Sequence, residues 1–189
     1  MPLQTNDNPP EELVLSPVAG AELAAQIVTT WLQGGGALPH GLGLDEFGFQ
    51  QLLACYFVGL RLPYDAPSGL ALDESRLPER AELERLLRAH KAGVSEVEEL
   101  WIQVLVAGIN GNNHLWEDMG FNTRADLSRF MQTFFPQLAE KNTQNMKWKK
   151  FIYKQMCLAE EIGYTCRSPS CEVCTDYQQC FDLEQGFWP

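Results

Sequence analysis

The chain has 189 residues, of which 45% are hydrophobic and 21% charged, a composition typical of a globular protein with one main domain. Its formal net charge of −11 argues against general nucleic-acid binding, and no apolar run approaches the roughly 20 residues of a membrane-spanning helix. The first residues form neither a basic nor an apolar stretch, so we expect no signal peptide and a cytoplasmic protein.

Apolar residues recur at helical spacing along most of the chain, and no convincing strand pattern with a period of two is present. We therefore predict an all-α protein in three parts: a flexible N-terminal tail (residues 1–16), a single helical domain (17–162) and a loop-like, cysteine-rich tail that binds a metal cluster (163–189). In chain order, the predicted helices span residues 19–32, 45–59, 78–93, 95–109, 123–135 and 144–161.

Several residues mark where these helices begin and end. Ser95-x-x-Glu98 and Thr123-x-x-Asp126 have the spacing of helix-starting capping boxes, in which each side chain accepts a hydrogen bond from the other residue's backbone. Pro136 cannot continue a helix without losing a hydrogen bond, so it predicts a break.

Four cysteines crowd the end of the chain with the spacing C-x4-C-x2-C-x5-C: Cys166, Cys171, Cys174 and Cys180. All-cysteine ligand sets are typical of structural zinc and of iron–sulfur clusters. In a reducing cytosol such thiols are metal ligands or redox groups more often than disulfides. We therefore predict a metal site that is formed by these four residues.

The spacing of the four cysteines does not determine which metal they bind. Structural zinc sites usually contain two short cysteine pairs, whereas this segment has one, Cys171 and Cys174, with single cysteines further away on either side. The longer x4 and x5 spans suit the separated corners of an iron–sulfur cluster better. Zinc and redox-active thiols remain as alternatives.

A basic segment precedes the cysteines. Residues 1–140 carry 19 acids and 8 bases, so they account for the whole net charge, whereas five lysines and no acid lie between Glu140 and Glu160. The four lysines nearest the cysteines either form the solvated face of an amphipathic helix or attract an oxyanion or an acidic partner. They are Lys147, Lys149, Lys150 and Lys154.

Other chemistry-bearing residues have simpler interpretations. Cys55 lies within an apolar helix pattern and is predicted to be in the core, and Cys157 is either a small buried side chain or a further thiolate near the metal. His114 is a surface or capping residue, or else a ligand of a metal held near the cysteines; His40 is a weaker candidate. No hydrolase motif is present.

The second half of the chain resembles a known family in several separate segments. These are residues 114–121 (HLWEDMGF), 134–139 (FFPQLA), 146–157 (MKWKKFIYKQMC) and the cysteine run from Cys166 to Phe181. In combination they resemble the NifQ proteins of nitrogen fixation over about residues 95–184. Residues 1–94 carry less of the resemblance.

The resemblance implies a role in making the iron–molybdenum cofactor of nitrogenase. A member of this family is expected to hold an iron–sulfur cluster of the 3Fe–4S or 4Fe–4S type and to incorporate molybdenum into it. It is expected to donate the molybdenum to the cofactor scaffold complex and the nitrogenase iron protein. Carried over to this chain, the cluster ligands are Cys166, Cys171, Cys174 and Cys180.

This interpretation makes the protein a metallocluster carrier and molybdenum donor more than an enzyme. Molybdate, a hard oxyanion, is the starting form of the metal, and we expect the lysines to attract it electrostatically. Two alternatives belong to other classes: an iron–sulfur electron-transfer protein and a zinc-stabilised interaction module.

Overall fold

A computed structural model describes residues 14–93 and 96–160. In these residues it contains eight α-helices and no β-strand, which confirms the all-α prediction. The helices are α1 (Ala21–Leu32), α2 (Glu46–Tyr56), α3 (Arg80–Ala89), α4 (Glu96–Ile109), α5 (Leu115–Asp118), α6 (Arg124–Phe134), α7 (Pro136–Lys141) and α8 (Trp148–Ala159). None of the helices in this part of the chain has both the length and the apolar character needed to cross a bilayer.

Helix α4 forms the centre of the fold because it is apolar on nearly every side. Its residues from Leu100 to Ile109, except Gln103, are buried, and it packs against α2, α3 and α5. A helix that is hydrophobic all round must be enclosed by its neighbours. The two halves of the chain therefore share one core.

An aromatic cluster around Trp101 joins helices from both halves. The Trp101 ring packs against Tyr56 of α2 and against Phe130 and Phe134 of α6, with ring centroids 5.2–5.5 Å apart. The buried indole Nε1 donates a hydrogen bond of 2.7 Å to the Tyr56 hydroxyl. Burial raises the pKa of Tyr56 to about 12, so this hydroxyl stays protonated at neutral pH.

The N-terminal end of the described chain is paired with the end of α2. The Ser16 N–H donates to the Tyr56 carbonyl at 2.9 Å and the Val58 N–H to the Val14 carbonyl at 2.8 Å. Leu15 thereby forms an isolated antiparallel bridge with Phe57. Backbone pairing thus begins three residues before the start predicted for the helical domain.

Most predicted helices are present, with shorter ends. Asp45 caps α2 by accepting from the Gly48 N–H, and the Thr123–Asp126 capping box at the start of α6 is confirmed. Ser95 of the predicted Ser95–Glu98 box lies outside the described residues. Helix α6 ends just before Pro136, as predicted. Pro136 is also the first residue of α7, a helix that was not predicted; proline suits the first turn of a helix.

Helix α8 begins at Trp148, four residues later than predicted. The Asn142 side chain closes a turn instead: its Oδ1 accepts from the Met146 N–H at 2.8 Å, and its Nδ2 donates to the Met146 carbonyl at 3.0 Å. Asn145 within this turn has a φ of +52°, which is incompatible with a right-handed helix. A local side-chain hydrogen bond therefore outweighs the helical pattern here.

Candidate functional site

Helix α8 is the element of the described fold that lies closest in sequence to the four cysteines. It packs mainly on α3, and Trp148, Phe151, Ile152, Tyr153 and Met156 are buried. At its end, the Glu160 carboxylate forms an ion pair with Arg85 of α3. The body of the protein therefore holds the chain in place up to six residues before Cys166.

A buried ion pair fixes the first turn of α8. Lys149 Nζ lies 2.8 Å from Asp118 Oδ2, and the two residues are only 8% and 0% exposed. The same ammonium donates to the carbonyls of Gly111 at 2.9 Å and Asn113 at 3.0 Å. All three of its donors are thus satisfied, which is the condition for burying a lysine without a large penalty.

Asp118 is held from several directions. Its carboxylate accepts from the Asn113 N–H at 3.1–3.2 Å, and its backbone carbonyl accepts from the Ala37 N–H at 2.8 Å. The short helix α5 that carries it starts where the Glu117 carboxylate accepts from the His114 N–H at 3.0 Å. The ion pair therefore connects α8 to the loop after α4 and to the loop after α1.

Gly111 makes room for this carboxylate. A Cβ at position 111 would lie 2.3 Å from Asp118 Cγ and 2.5 Å from both of its carboxylate oxygens. Any side chain there would push Asp118 away from Lys149. The glycine is thus needed for the close approach of the loop backbone to the buried pair.

The electrostatics of Lys149 reflect two opposing effects. Burial lowers its pKa because the charged form loses its hydration, and the Asp118 carboxylate acts in the opposite direction. Such a pair is costly to disrupt from one side, since the remaining charge would be buried alone.

These contacts correct both sequence interpretations of Lys149. It is neither on a solvated helix face nor available to an oxyanion, because Asp118 and two carbonyls occupy its ammonium. The sequence contained a signal that was missed: Lys149 shares the helical register of Ile152 and Met156, both buried. A lysine in an apolar register requires a buried acceptor, and the partner Asp118 was not singled out.

The other lysines of the basic segment are arranged differently. Lys150 and Lys154 are half-buried and one turn apart on α8, and Lys147 is the N-cap residue of the helix. The pKa of Lys154 is lowered, first by burial and then by the positive charge of Lys150. The structure thus separates Lys149 from a second set of three lysines.

The histidines are placed mainly in structural roles. His114 is exposed at the N-cap position of α5, as predicted for a surface or capping residue. His40 Nδ1 accepts from the Ala66 N–H at 2.8 Å. His90 bridges the Leu86 carbonyl and the Lys141 ammonium, at 2.8 and 2.7 Å.

Two cysteines lie within the described fold. Cys157 is buried at 4% exposure on α8, which agrees with its interpretation as a small core side chain. Cys55 is half-buried against the core rather than within it, and burial raises the pKa of its thiol. Within residues 14–93 and 96–160, no three His, Cys, Asp or Glu side chains come together as a metal site.

The four predicted ligands Cys166, Cys171, Cys174 and Cys180 lie outside the described residues. Cys166 follows Glu160, the last described residue, by six residues in the sequence.

These observations describe a small all-α protein whose last described helix leads into a four-cysteine segment. A family model for NifQ matches residues 23–182, which includes all four cysteines. The match also covers most of the first half of the chain, where the sequence resemblance was weaker.

Individual relatives agree with the family model. The chain is 40% identical over 170 residues to the protein NifQ of Azotobacter vinelandii, covering 84% of this chain and 86% of the relative. It is 35% identical over 171 residues to the protein NifQ of Rhodobacter capsulatus, covering 87% and 91% of the two chains. No solved structure matches it. The chain belongs to the NifQ family, a family of nitrogen-fixation proteins.

Proposed function

We propose that this protein carries an iron–sulfur cluster on Cys166, Cys171, Cys174 and Cys180, loads molybdenum onto it and donates that molybdenum for synthesis of the nitrogenase iron–molybdenum cofactor. One observation carries the proposal: all four cysteines, with their C-x4-C-x2-C-x5-C spacing, fall within the region that matches the NifQ family. The proposed recipients are the cofactor scaffold complex and the nitrogenase iron protein. The cytoplasm is the proposed compartment, since thiols stay reduced there.

The donor set fits this cargo. Thiolates are soft ligands that select iron–sulfur clusters and zinc over hard cations. A cluster of the 3Fe–4S type needs only three of the four thiolates for its irons and offers its sulfides to a further metal. The fourth thiolate then remains for molybdenum or for exchange during transfer.

The described fold anchors the chain just before the cysteine segment. Helix α8 packs on α3, and Glu160, which follows α8, forms an ion pair with Arg85. Six residues of sequence then lead from Glu160 to Cys166, the first proposed ligand.

Oxygen-free purification followed by elemental analysis tests the proposal. We expect iron and acid-labile sulfide in the purified protein, and molybdenum as well after growth with molybdate. Iron and sulfide without molybdenum would identify an electron-transfer protein instead. A colourless protein with about one zinc per chain would identify a zinc-stabilised module, and either result would contradict the proposal.

Substitutions test the ligand assignment. Serine is introduced at Cys166, Cys171, Cys174 and Cys180 one at a time. Loss of a cysteine that ligates iron is expected to remove most of the bound iron, whereas loss of the fourth thiolate of a 3Fe–4S cluster is expected to remove mainly the molybdenum. The matched control is Cys55→Ser, which alters a half-buried thiol on α2 and is expected to leave the iron content unchanged. In a nitrogen-fixing strain that carries a ligand variant, excess molybdate should partly restore nitrogenase activity if the protein supplies molybdenum.

A further inference from the structure

Residues 39–44, in the loop between α1 and α2, have an unusual backbone. Gly41, Leu42 and Gly43 all have positive φ values, of +54°, +60° and +88°. Glycine adopts this left-handed region readily, whereas leucine does so only when its surroundings hold it there. Leu42 is fully buried, so its side chain anchors one side of the loop. The other side depends on contacts with the rest of the chain.

The connection between α2 and α3 supplies such contacts. Its residues 63–70, which we call the clip, are bonded to the loop. The Gly41 N–H donates to the Tyr64 carbonyl at 2.8 Å, and the His40 N–H donates to the Leu70 carbonyl at 3.0 Å. Both bonds end on backbone carbonyls, which do not titrate, so these two contacts are the same at any ordinary pH.

A third hydrogen bond of the clip differs, because its acceptor is a histidine ring. The N–H of the buried Ala66 donates to His40 Nδ1 at 2.8 Å. An amide N–H approaches a ring nitrogen this closely only when that nitrogen carries a lone pair, so the ring is neutral and its hydrogen lies on Nε2. Protonation of Nδ1 places two donors opposite each other and breaks the bond.

The same ring nitrogen has an alternative partner nearby. Asp65 Oδ1 lies 3.6 Å from His40 Nδ1, and a protonated Nδ1 can donate to this carboxylate once it leaves Ala66. The Asp65 side chain is 88% exposed, so water weakens its attraction for a cation. The broken bond leaves the buried Ala66 N–H without an acceptor, which costs more than an exposed ion pair returns. A protonated ring therefore holds the clip less well than a neutral one.

The neighbouring elements present uncharged side chains to the loop. The Tyr64 ring of the clip is stacked on the His40 ring, with the centroids 6.3 Å apart. The Trp31 indole of α1 donates to the Pro39 carbonyl at 3.0 Å, and Ala107 of α4 lies against the loop backbone. Among the described contacts of the ring, the clip's own carboxylate at position 65 supplies the charge that a protonated ring meets.

We propose that His40 is a pH-sensitive latch for the clip. The neutral ring accepts from the Ala66 N–H and holds the clip on the loop, whereas the protonated ring releases Ala66, turns to Asp65 and lets the clip open. Histidine is the side chain whose charge ordinarily changes between about pH 5 and about pH 8. The latch goes beyond the proposed function and does not depend on what the cysteine segment binds.

Amide hydrogen exchange of the full chain, corrected for the intrinsic rate at each pH, tests the latch. From about pH 8 to about pH 5, protection of the Ala66 and Gly41 amides should fall about tenfold, the effect of one hydrogen bond. The Leu105 amide, in the buried helix α4, should keep its protection. Three results would overturn the proposal: constant protection of Ala66, loss at Ala66 while Gly41 stays protected, or a fall that Leu105 shares.

Substitutions separate the proton from the side chain. His40→Asn places an amide oxygen near the position of Nδ1, where it accepts from Ala66 but takes up no proton, so the protection should no longer depend on pH. His40→Ala offers no acceptor and should lose the protection at both pH values. The matched control His90→Asn removes another half-buried imidazole, whose Nδ1 donates to the Leu86 carbonyl, and should leave the pH dependence at Ala66 unchanged.

Nitrogen NMR of the imidazole in the wild-type protein gives a result that does not depend on how any variant folds. At about pH 8, His40 Nδ1 should carry no hydrogen and Nε2 should carry one. A hydrogen on Nδ1 at that pH would overturn the proposal. A pH dependence at Ala66 that persists in His40→Asn would overturn it as well, because another group would then control the clip.

Discussion

Lys149 and Lys150 are neighbours in the sequence, yet they lie in opposite environments. Lys149 is buried, with all its donors satisfied by Asp118 and two carbonyls, whereas Lys150 is half-buried beside another lysine on α8. A step of one residue rotates a side chain by about 100° around a helix. Helical register, and not residue type, therefore separates the buried lysine, which holds the fold together, from its half-buried neighbour.

The largest effect is expected at the buried pair. Asp118→Asn keeps the shape of the side chain but leaves the Lys149 charge without its counter-ion, and removing one partner of a buried pair typically costs about 3–5 kcal/mol. Urea unfolding at neutral pH measures the loss. The control Asp65→Asn, at a side chain that is 88% exposed, should change the free energy of unfolding by less than about 0.5 kcal/mol.

The same variant makes a prediction about pH. Without the carboxylate, the already lowered pKa of Lys149 falls further in the folded state, while the unfolded state keeps an ordinary lysine. The unfolded chain then binds more protons, so the stability of the variant should rise between neutral pH and about pH 10, more steeply than that of the wild type. The difference in stability between wild type and variant should therefore narrow over this range, and a difference that stays constant or widens would contradict the lowered pKa of Lys149.

A smaller loss of stability is expected when the loop that contains Gly111 is pushed away from the Lys149–Asp118 pair. Gly111→Ala places a methyl group where the Asp118 carboxylate lies, and overpacking of this kind costs about 1–3 kcal/mol. If the cost arises from this contact, Gly111→Ala should add much less when it is made in the Asp118→Ala background, which removes the carboxylate. Full additivity of the two changes would contradict the predicted clash.

A still smaller loss of stability is expected at the capping box of α6, at a site separate from the Lys149–Asp118 pair. Thr123→Ala removes the hydroxyl that accepts from the Asp126 N–H and donates to the Asp126 carboxylate. Loss of such a cap costs about 1 kcal/mol of stability.

The same capping box makes a prediction about pH. The Thr123 hydrogen bond, followed by that from Arg129, lowers the pKa of Asp126. The stabilising contribution of the Asp126 carboxylate is therefore present above about pH 4 and is lost in acid. The difference between variant and wild type, measured by denaturant unfolding, should therefore narrow as the pH falls below 4.

The sequence predicted the helices and caps well where local signals act alone. The Thr123–Asp126 box and the break at Pro136 depend on neighbouring residues, and both are present. The late start of α8 was missed because the Asn142–Met146 hydrogen bonds compete with a helical pattern of similar strength.

The partner of Lys149 could not be found in the same way. Asp118 is 31 residues away in sequence, and only the folded chain shows that α5 meets α8. The register of Lys149 nevertheless indicated burial, so half of the pair was predictable. The cysteine ligands stay a prediction from spacing and family membership.

The smallest effect on stability is expected at Lys150, and the matched change is the same Lys→Gln substitution at Lys149 on the same helix. Lys150→Gln should alter the free energy of unfolding by less than about 0.5 kcal/mol, because a partly solvated charge is lost and repulsion of Lys154 disappears with it. Lys149→Gln, one residue earlier, removes an ammonium that satisfies Asp118 and two carbonyls, so it should cost several times more. Comparable losses for the two variants in urea unfolding would mean that both lysines hold the fold together, and the separation between the two sides of α8 would then be wrong.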